Sequence, residues 1–247
     1  MTARNIRLTI SYDGSEYHGW QIQPGHKTIQ GTLSEVIWDL LGPEVRIAGA
    51  SRTDAGVSAL GQAALIQIDS PIPTENLVDA ITGRLPQDIV VTEAVEVPQG
   101  FDIIGAAKRK LYRYTIFTGR QRPVLQIRHC WHLRTKLDVV AMNQAAKMLV
   151  GKKDFKSFAA AADKRESSVR TIFRCDVTAE NEWVYVDVEG DAFLYNMVRN
   201  IVGTLVEIGS GRRLPEKIEQ ILEAKDRKAA GPIAPAAGLC LMWIKYA

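Results

Sequence analysis

The apolar positions along this chain change period repeatedly, and each change marks a new element. Residues 5–12 (NIRLTISY) alternate apolar and polar, the pattern of a half-buried strand, and Asp13-Gly14 breaks it as a turn. From Ile29 the period becomes helical. Ile29, Leu33, Val36, Ile37, Leu40 and Leu41 share one face, with Thr28 placed to cap the start and Gly42-Pro43 to end it. Short strands are predicted at 45–50 and 63–68, and they pin a glycine-punctuated loop between them. A second helix runs from a Thr74 cap to Leu85, where Pro86 stops it. Strands follow at 89–97, 108–117 and 129–134. In the second of these, Lys110, Tyr112, Tyr114 and Ile116 share a face. Residues 137–150 read as a helix closed by Gly151, 152–170 as mostly loop, and 169–178 with 183–189 as a hairpin. Apolar residues at 193, 194, 197, 198, 201, 202, 205 and 206 make a broad helical face, which places a helix over 193–208 deep in the core. Pro215 opens a last helix to Lys225. Residues 229–238 form a Gly/Pro/Ala loop, and 239–246 close the chain as a strand.

Strands and helices alternate without a strict βαβ rhythm, which predicts an α+β fold with a mostly antiparallel sheet. ISYDGSEYHGW and VDVEGDAFLYNM echo each other as a strand, a Gly-Asp or Asp-Gly break, then aromatics. Composition adds little to this picture. In 247 residues, 46% hydrophobic and 24% charged is ordinary for a globular protein with a sizeable core. A net charge of +3 selects no class of partner. Cys130, Cys175 and Cys240 are scattered and odd in number, which fits neither a disulfide framework nor a CxxC metal pair. With no N-terminal apolar segment of the signal-peptide kind and no run long enough to span a bilayer, the expected location is the cytoplasm, away from membranes.

Three features carry candidate chemistry. The first is the loop GASRTDAGVSALGQ, residues 49–62, where Arg52 and Asp54 stand one residue apart. In an extended loop the two point to the same side, and a nearby cation keeps a carboxylate ionised. A carboxylate so held can act as nucleophile or general base. The competing reading is that Thr53 and Asp54 only cap a turn through their side chains. The second feature is charge segregation. Between Asp102 and Asp138 there is no acid, but there are Lys108, Arg109, Lys110, Arg113, Arg120, Arg122, Arg128, Arg134 and Lys136, with Tyr112, Tyr114, Phe117 and Trp131 among them. Cations neutralise phosphates and aromatics stack on bases, so this is a candidate RNA surface; a solvated strand face with a basic loop is the alternative. The third is Arg199 within FLYNMVRNIVGTL, which either snorkels to water or reaches an acid, Asp54 being a candidate. His129 and His132 face opposite sides of their predicted strand, which is poor metal geometry and fits packing or RNA contact. No GxGxxG after a strand and no P-loop occurs, so no cofactor and no metal are expected.

These residues resemble a known family. SRTDAGVSALGQ is similar to the GRTDxGVHAxxQ loop of the TruA-type tRNA pseudouridine synthases. SYDGSEYHGWQIQP with TIQGTLSEVI, then RLP, FD, KRKLYRYTIF, GKKDFKSFAA, VRTI, FLYNMVRNIVGTLVEIGSGR and APAAGLCLMWIKY resemble further blocks in the family's order, over nearly the whole chain. The resemblance implies an α+β fold of two similar halves, 1–105 and 106–247. Helices would pack on one face of the sheet, and a positively charged cleft would hold the active site between the halves. It implies Asp54 as the catalytic nucleophile, and Arg52 as the residue that helps extrude the target nucleotide and fill its place. It further implies Tyr112 as the residue packing on the target base and Arg199 as the basic partner of the catalytic Asp. By the same resemblance the enzyme is a homodimer that modifies uridines at positions 38 to 40 in the anticodon arm of tRNA. The chain departs from the family at Ser51 (usually Gly), Ser58 (usually His) and Ile103-Ile104 (usually Ala-Arg). These departures leave Asp54 in place and bear on the RNA contacts around the loop, and so on which uridines are modified.

The implied chemistry agrees with the residues. Uridine becomes pseudouridine when the N1–C1′ bond breaks, the base turns, and C5 joins C1′. The change is redox-neutral. It needs a carboxylate, either as a covalent nucleophile or to assist glycal formation, and a nucleotide taken out of its stack at a cost of a few kcal/mol. A non-catalytic RNA-binding module on the same scaffold is the alternative. A carboxylate glycosidase would need a second acid about 5–10 Å from Asp54, and no motif offers one.

Overall fold

The computed structural model describes residues 3–163 and 165–246. Residues 1, 2 and 247, the outermost of the two expected halves, and Lys164 of the expected loop lie outside the described residues. In chain order the elements are β1 (Arg4–Tyr12), α1 (Ile29–Leu41), β2 (Ile47–Gly49), β3 (Ser58–Ile68), α2 (Thr74–Thr82), β4 (Ile89–Val97), β5 (Ala107–Phe117) and β6 (Trp131–His132). They continue with α3 (Val139–Lys147), β7 (Gly151–Asp154), β8 (Val169–Glu180), β9 (Trp183–Gly190), α4 (Met197–Gly209), α5 (Lys217–Ala224) and β10 (Leu239–Tyr246). The fold is α+β: β1 with β3 and β4, β2 with β3, β5 with β9, β8 with β9 and β7 with β8 pair antiparallel, and β5 pairs with β6 in parallel.

The residues group into two compact units. One holds the chain up to Lys108 and again from Leu241 on, and the other runs from Arg109 to Cys240. In the first unit β1 is central, flanked by β4 and β3, with β2 on β3. Its alternation decides its inward face: Ile6, Leu8 and Ile10 are fully buried, each contributing about 1.5–3 kcal/mol of apolar burial. Helix α1 adds Ile29, Leu33 and Ile37 to this core, and the Thr28 side chain accepts from the Gly31 N–H at 3.2 Å as its cap. Helix α2 starts at Thr74 itself, not after it. Pro73 holds the cap position, and the Thr74 hydroxyl is used by Arg4 at 3.1 Å.

In the second unit the strands run β5-β9-β8-β7, with β6 beside β5. Tyr112, Tyr114 and Ile116 are buried on the predicted shared face of β5, opposite Val188, Val186 and Val184. The core helix begins later than its apolar period suggests. Asp191 accepts from the N–H groups of Thr171 (3.0 Å) and Ala192 (2.6 Å), and Asn196 takes a left-handed conformation, so 191–196 form a turn and α4 starts at Met197. Once begun, α4 is buried almost throughout. The predicted strand 129–134 shrinks to two residues because 127–129 coil as a 3-10 turn and His132 Nε2 is held at 2.8 Å from the Gly119 carbonyl. The stretch read as loop contains a strand, β7, paired with the start of β8, which its charged sequence GKKD hides.

Candidate active site

The focal loop is shorter than the sequence pattern suggests. Strand β3 begins at Ser58 instead of Ala63, and Tyr12 pairs with Ala59 beyond a bulge in the β1 register. The loop itself is therefore held within residues 50–57. Ala50 N–H donates to the Ala63 carbonyl at 2.8 Å, and Val57 N–H closes a turn on the Asp54 carbonyl at 3.1 Å, with Gly56 at φ +76° inside it. Thr53 turns inward, and its hydroxyl lies 2.7 Å from the Tyr12 hydroxyl. That contact uses the side chain which a simple turn cap would need. On either side of it, Arg52 is exposed and Asp54 half-buried.

Gln62 holds the entrance of the loop. Its fully buried side chain donates from Nε2 to the Ser51 carbonyl (2.6 Å) and accepts at Oε1 from the Ser51 N–H (3.3 Å). Gln62→Leu keeps the volume and removes these bonds. It is expected to cost about 1–3 kcal/mol, seen as a lower urea midpoint at unchanged slope.

The segment after β1 forms the other side of the cradle. Trp20 N–H donates to the Thr53 carbonyl at 3.0 Å, and Gly56 N–H donates to the Tyr17 carbonyl at 3.1 Å. Such backbone-to-backbone approach requires missing side chains. A Cβ on Gly14 would lie 2.0 Å from the Val57 carbonyl oxygen, and one on Gly19, which sits at φ +87°, 2.6 Å from that of Thr53. Gly14 N–H also donates to the Ser58 hydroxyl at 3.1 Å, so the serine at this position serves the cradle. Tyr17 anchors the segment. It is buried, its hydroxyl donates to Asp88 at 2.8 Å, and burial and then that carboxylate push its ionisation well above the usual range.

The second unit gathers Tyr112 and Arg199 around β5. Tyr112 is buried opposite Val188 and meets Phe193 edge-on, ring centres 5.2 Å apart. Arg199, half-buried on α4, donates from Nε to the Ala234 carbonyl at 2.8 Å and from Nη1 to Asn196 at 3.3 Å. Ala234 N–H returns to the Arg199 carbonyl at 3.2 Å. The next carbonyl, Pro235, accepts from the Tyr114 hydroxyl at 2.8 Å. The loop 230–238 is thus the clamp that orients Arg199, and a Cβ on Gly203, 1.7 Å from the Pro232 oxygen, would have no room beneath it.

The basic run is less basic in space than in sequence. Arg113 makes a two-pronged pair with Asp187 (2.8 Å each), which raises its pKa, and Arg109 pairs with Glu189 at 3.0 Å. Arg174 joins the same acids from β8. Lys110 points to the other face, where burial pushes its ammonium down to about 8, with the Arg165 charge adding to the effect. The exposed cations of the run are Lys108, Arg109, Arg120, Arg122, Arg128, Arg134 and Lys136.

A family model described as tRNA pseudouridine synthase matches residues 8–104 and 145–247. The chain belongs to the tRNA pseudouridine synthase family. Asp54, Arg52 and Arg199 lie inside the two matched segments, and Tyr112 lies in the stretch between them. Curated relatives extend the match to nearly every residue. The tRNA pseudouridine synthase A of Moorella thermoacetica is 46% identical over 243 residues, 98% of this chain and 99% of that one. That of Acetivibrio thermocellus is 44% identical over 244 residues, and that of Caldicellulosiruptor saccharolyticus 41% over 243, each covering 98% of this chain and all of theirs. Within this family frame, reading the residues one by one missed the parts that hold the site. Tyr12, Trp20 and Gln62 look like ordinary strand or core residues, and the one signal that could have found them is the glycine in each of YDG and HGW, where two backbones can approach closely.

Proposed function

We propose that Asp54 is the nucleophile with which this chain converts uridine to pseudouridine at positions 38 to 40 in the anticodon arm of tRNA. The conversion of tRNA uridine to pseudouridine is the family's reaction, and the chain is an isomerase. The observation that carries Asp54 is its seat. The carboxylate is half-buried on a turn whose backbone is fixed from two sides, by β3 and by the Tyr17–Trp20 segment. Catalytic groups gain most when their rotamers and backbone are fixed before substrate arrives. In this reading Asp54 attacks the sugar or base, or assists departure of the base. Arg52, exposed beside it, helps draw the nucleotide out and takes its place. Tyr112 stacks on the base, and Arg199 supplies the positive charge that keeps the carboxylate ionised. We place the enzyme in the cytoplasm, following the scattered cysteines and the segment pattern of the sequence, and as a homodimer, following the family resemblance. Among the described residues no helix is long and apolar enough to cross a membrane.

Incubation with unmodified tRNA followed by carbodiimide-stop sequencing tests the reading. New stops in the anticodon arm are expected. Stops elsewhere would move the specificity, with Ser51, Ser58 and Ile104 the first positions to revert. Bound tRNA without stops would make the chain a binding module. Tyr112→Phe retains the ring and its packing on Phe193, so tRNA affinity is expected to hold within about twofold. A fall in single-turnover rate of about 10²-fold or more would assign the hydroxyl to proton transfer, and a wild-type rate would leave Tyr112 as a platform alone.

A further inference from the structure

The buried face of the second unit ends in a group of cations. Cross-strand partners share a face, and Lys110 stands opposite Gly190, Gly190 opposite Ile172, and Arg170 two residues from Ile172 on the same strand. Lys110 and Arg170 therefore lie on one face, separated in the ladder by Gly190, which has no side chain, and by the buried Ile172. The residue opposite Arg170 on β7 is Lys153, a like charge where an acid would stabilise the pair. Phe193 lies over the gap, since a Cβ on Gly190 would be 3.1 Å from its ring, and Phe193 is the residue that meets Tyr112.

A third cation comes from the loop before β8. Arg165 is fixed by Asp163, whose carboxylate accepts from the Arg165 N–H (3.0 Å), the Arg165 guanidinium (2.7 Å) and the Tyr195 N–H (2.8 Å). Asp191, the other acid nearby, accepts from two backbone N–H groups. Arg170 donates from Nη1 to the carbonyls of Ser167 (3.0 Å) and Val169 (2.6 Å), while its buried Nε has no hydrogen-bond partner. Burial, and after it the charge of Arg165, holds both Lys110 and Arg170 below their usual pKa, although Asp191 and Asp163 offset part of this at Arg170. A buried donor left unpaired among mutually repelling cations is costly by itself and favourable once an anion binds.

We propose that Lys110, Arg165 and Arg170 form a phosphate site that seats an RNA backbone phosphate beside the base stacked on Tyr112. The proposal rests on the reading of Tyr112 as the base platform. It adds a contact that fixes the backbone of the target nucleotide while its base is out of the stack. The contact carries no sequence information, so it serves every uridine the enzyme accepts.

The test is a binding cycle on full-length tRNA. One methylphosphonate replaces the phosphate 5′ or 3′ of the target uridine, which removes a single charge, and each tRNA is titrated with wild type, Arg165→Gln and Arg170→Lys. In wild type, one of the two neutral linkages is expected to weaken binding about tenfold. In Arg165→Gln the same linkage is expected to matter less than about threefold, and the slope of log affinity against log salt to fall by about one. Arg170→Lys keeps the charge for a variant whose fold is least disturbed, and should fall between them. Equal losses in wild type and Arg165→Gln at both linkages would overturn the phosphate site. Coupling that persists while Tyr112→Ala leaves binding and turnover unchanged would uphold the phosphate site and remove Tyr112 as the platform.

Discussion

Asp54→Asn is expected to lower pseudouridine formation by at least about 10³-fold and to leave tRNA affinity within about threefold. Asparagine has the shape of aspartate without its charge or nucleophilic oxygen. The turn that carries residue 54 is held by main-chain groups: Trp20 N–H on the Thr53 carbonyl, Gly56 N–H on the Tyr17 carbonyl, and Val57 N–H on the carbonyl of residue 54 itself. None of these involves the carboxylate, so the cradle forms in the variant. Binding energy in a nucleic-acid enzyme comes largely from phosphate contacts, which a neutral residue 54 does not touch. A variant that bound tRNA normally and still formed pseudouridine at the wild-type rate would take the nucleophile away from Asp54. A variant that lost binding as well would place the carboxylate in substrate docking.

Gly14→Ala is expected to reduce turnover by about 10²-fold through one added methyl against the backbone of the turn that carries Asp54. The methyl carbon would fall 2.0 Å from the Val57 carbonyl oxygen and 2.6 Å from its carbon, and both belong to backbone, which cannot rotate away. Either the Asp13–Ser15 turn or the 54–57 turn must move. The first is anchored by Asp13 N–H on the Asp88 carbonyl (2.9 Å) and by Ser15 N–H on the Asp13 carboxylate (2.9 Å), so part of the shift passes to the 54–57 turn. Overpacking of this kind costs about 1–3 kcal/mol of stability, which a urea melt reads separately from the rate. Gly83→Ala is the matched control. Gly83 has a helical backbone at φ −62° and only a 3.1 Å contact to the Asp79 oxygen, away from the loop. A Gly14→Ala enzyme as active as the Gly83→Ala control would mean that the cradle tolerates displacement and does not position Asp54.

The sequence was most legible where one period dominated. Strand β1 and helix α1 follow from alternation and from a Thr28 cap, because burial of one face decides both. It was least legible where polar side chains replace periodicity as the organising force. GKKD forms β7 although nothing in it alternates, since its pairing is supplied by β8. Phe193 and Leu194 share the apolar period of α4, yet Asp191 and the left-handed Asn196 hold them in a turn before the helix. The site shows the same division. Arg52 and Asp54 stand out as a charged pair in a small-residue loop. Gln62, which grips that loop from a fully buried position, reads as one more polar residue of a strand. The basic run misleads in the other direction. Arg109 and Arg113 add to a linear count of cations, but on the next strand Asp187 lies opposite Arg113, and Glu189, opposite Leu111, reaches Arg109 diagonally, pairings no linear count contains.

Release of the uridine C5 hydrogen tests the central claim most directly, because joining C5 to C1′ expels it whichever covalent route the carboxylate takes. The measurement uses tRNA carrying tritium at C5 of its uridines, incubated with wild type and with Asp54→Asn at enzyme in excess. Tritium is expected to be released to water in step with pseudouridine formed by wild type, and none above background from Asp54→Asn on tRNA that is demonstrably bound. Release by both proteins at equal rates, or by neither while both bind, would contradict it.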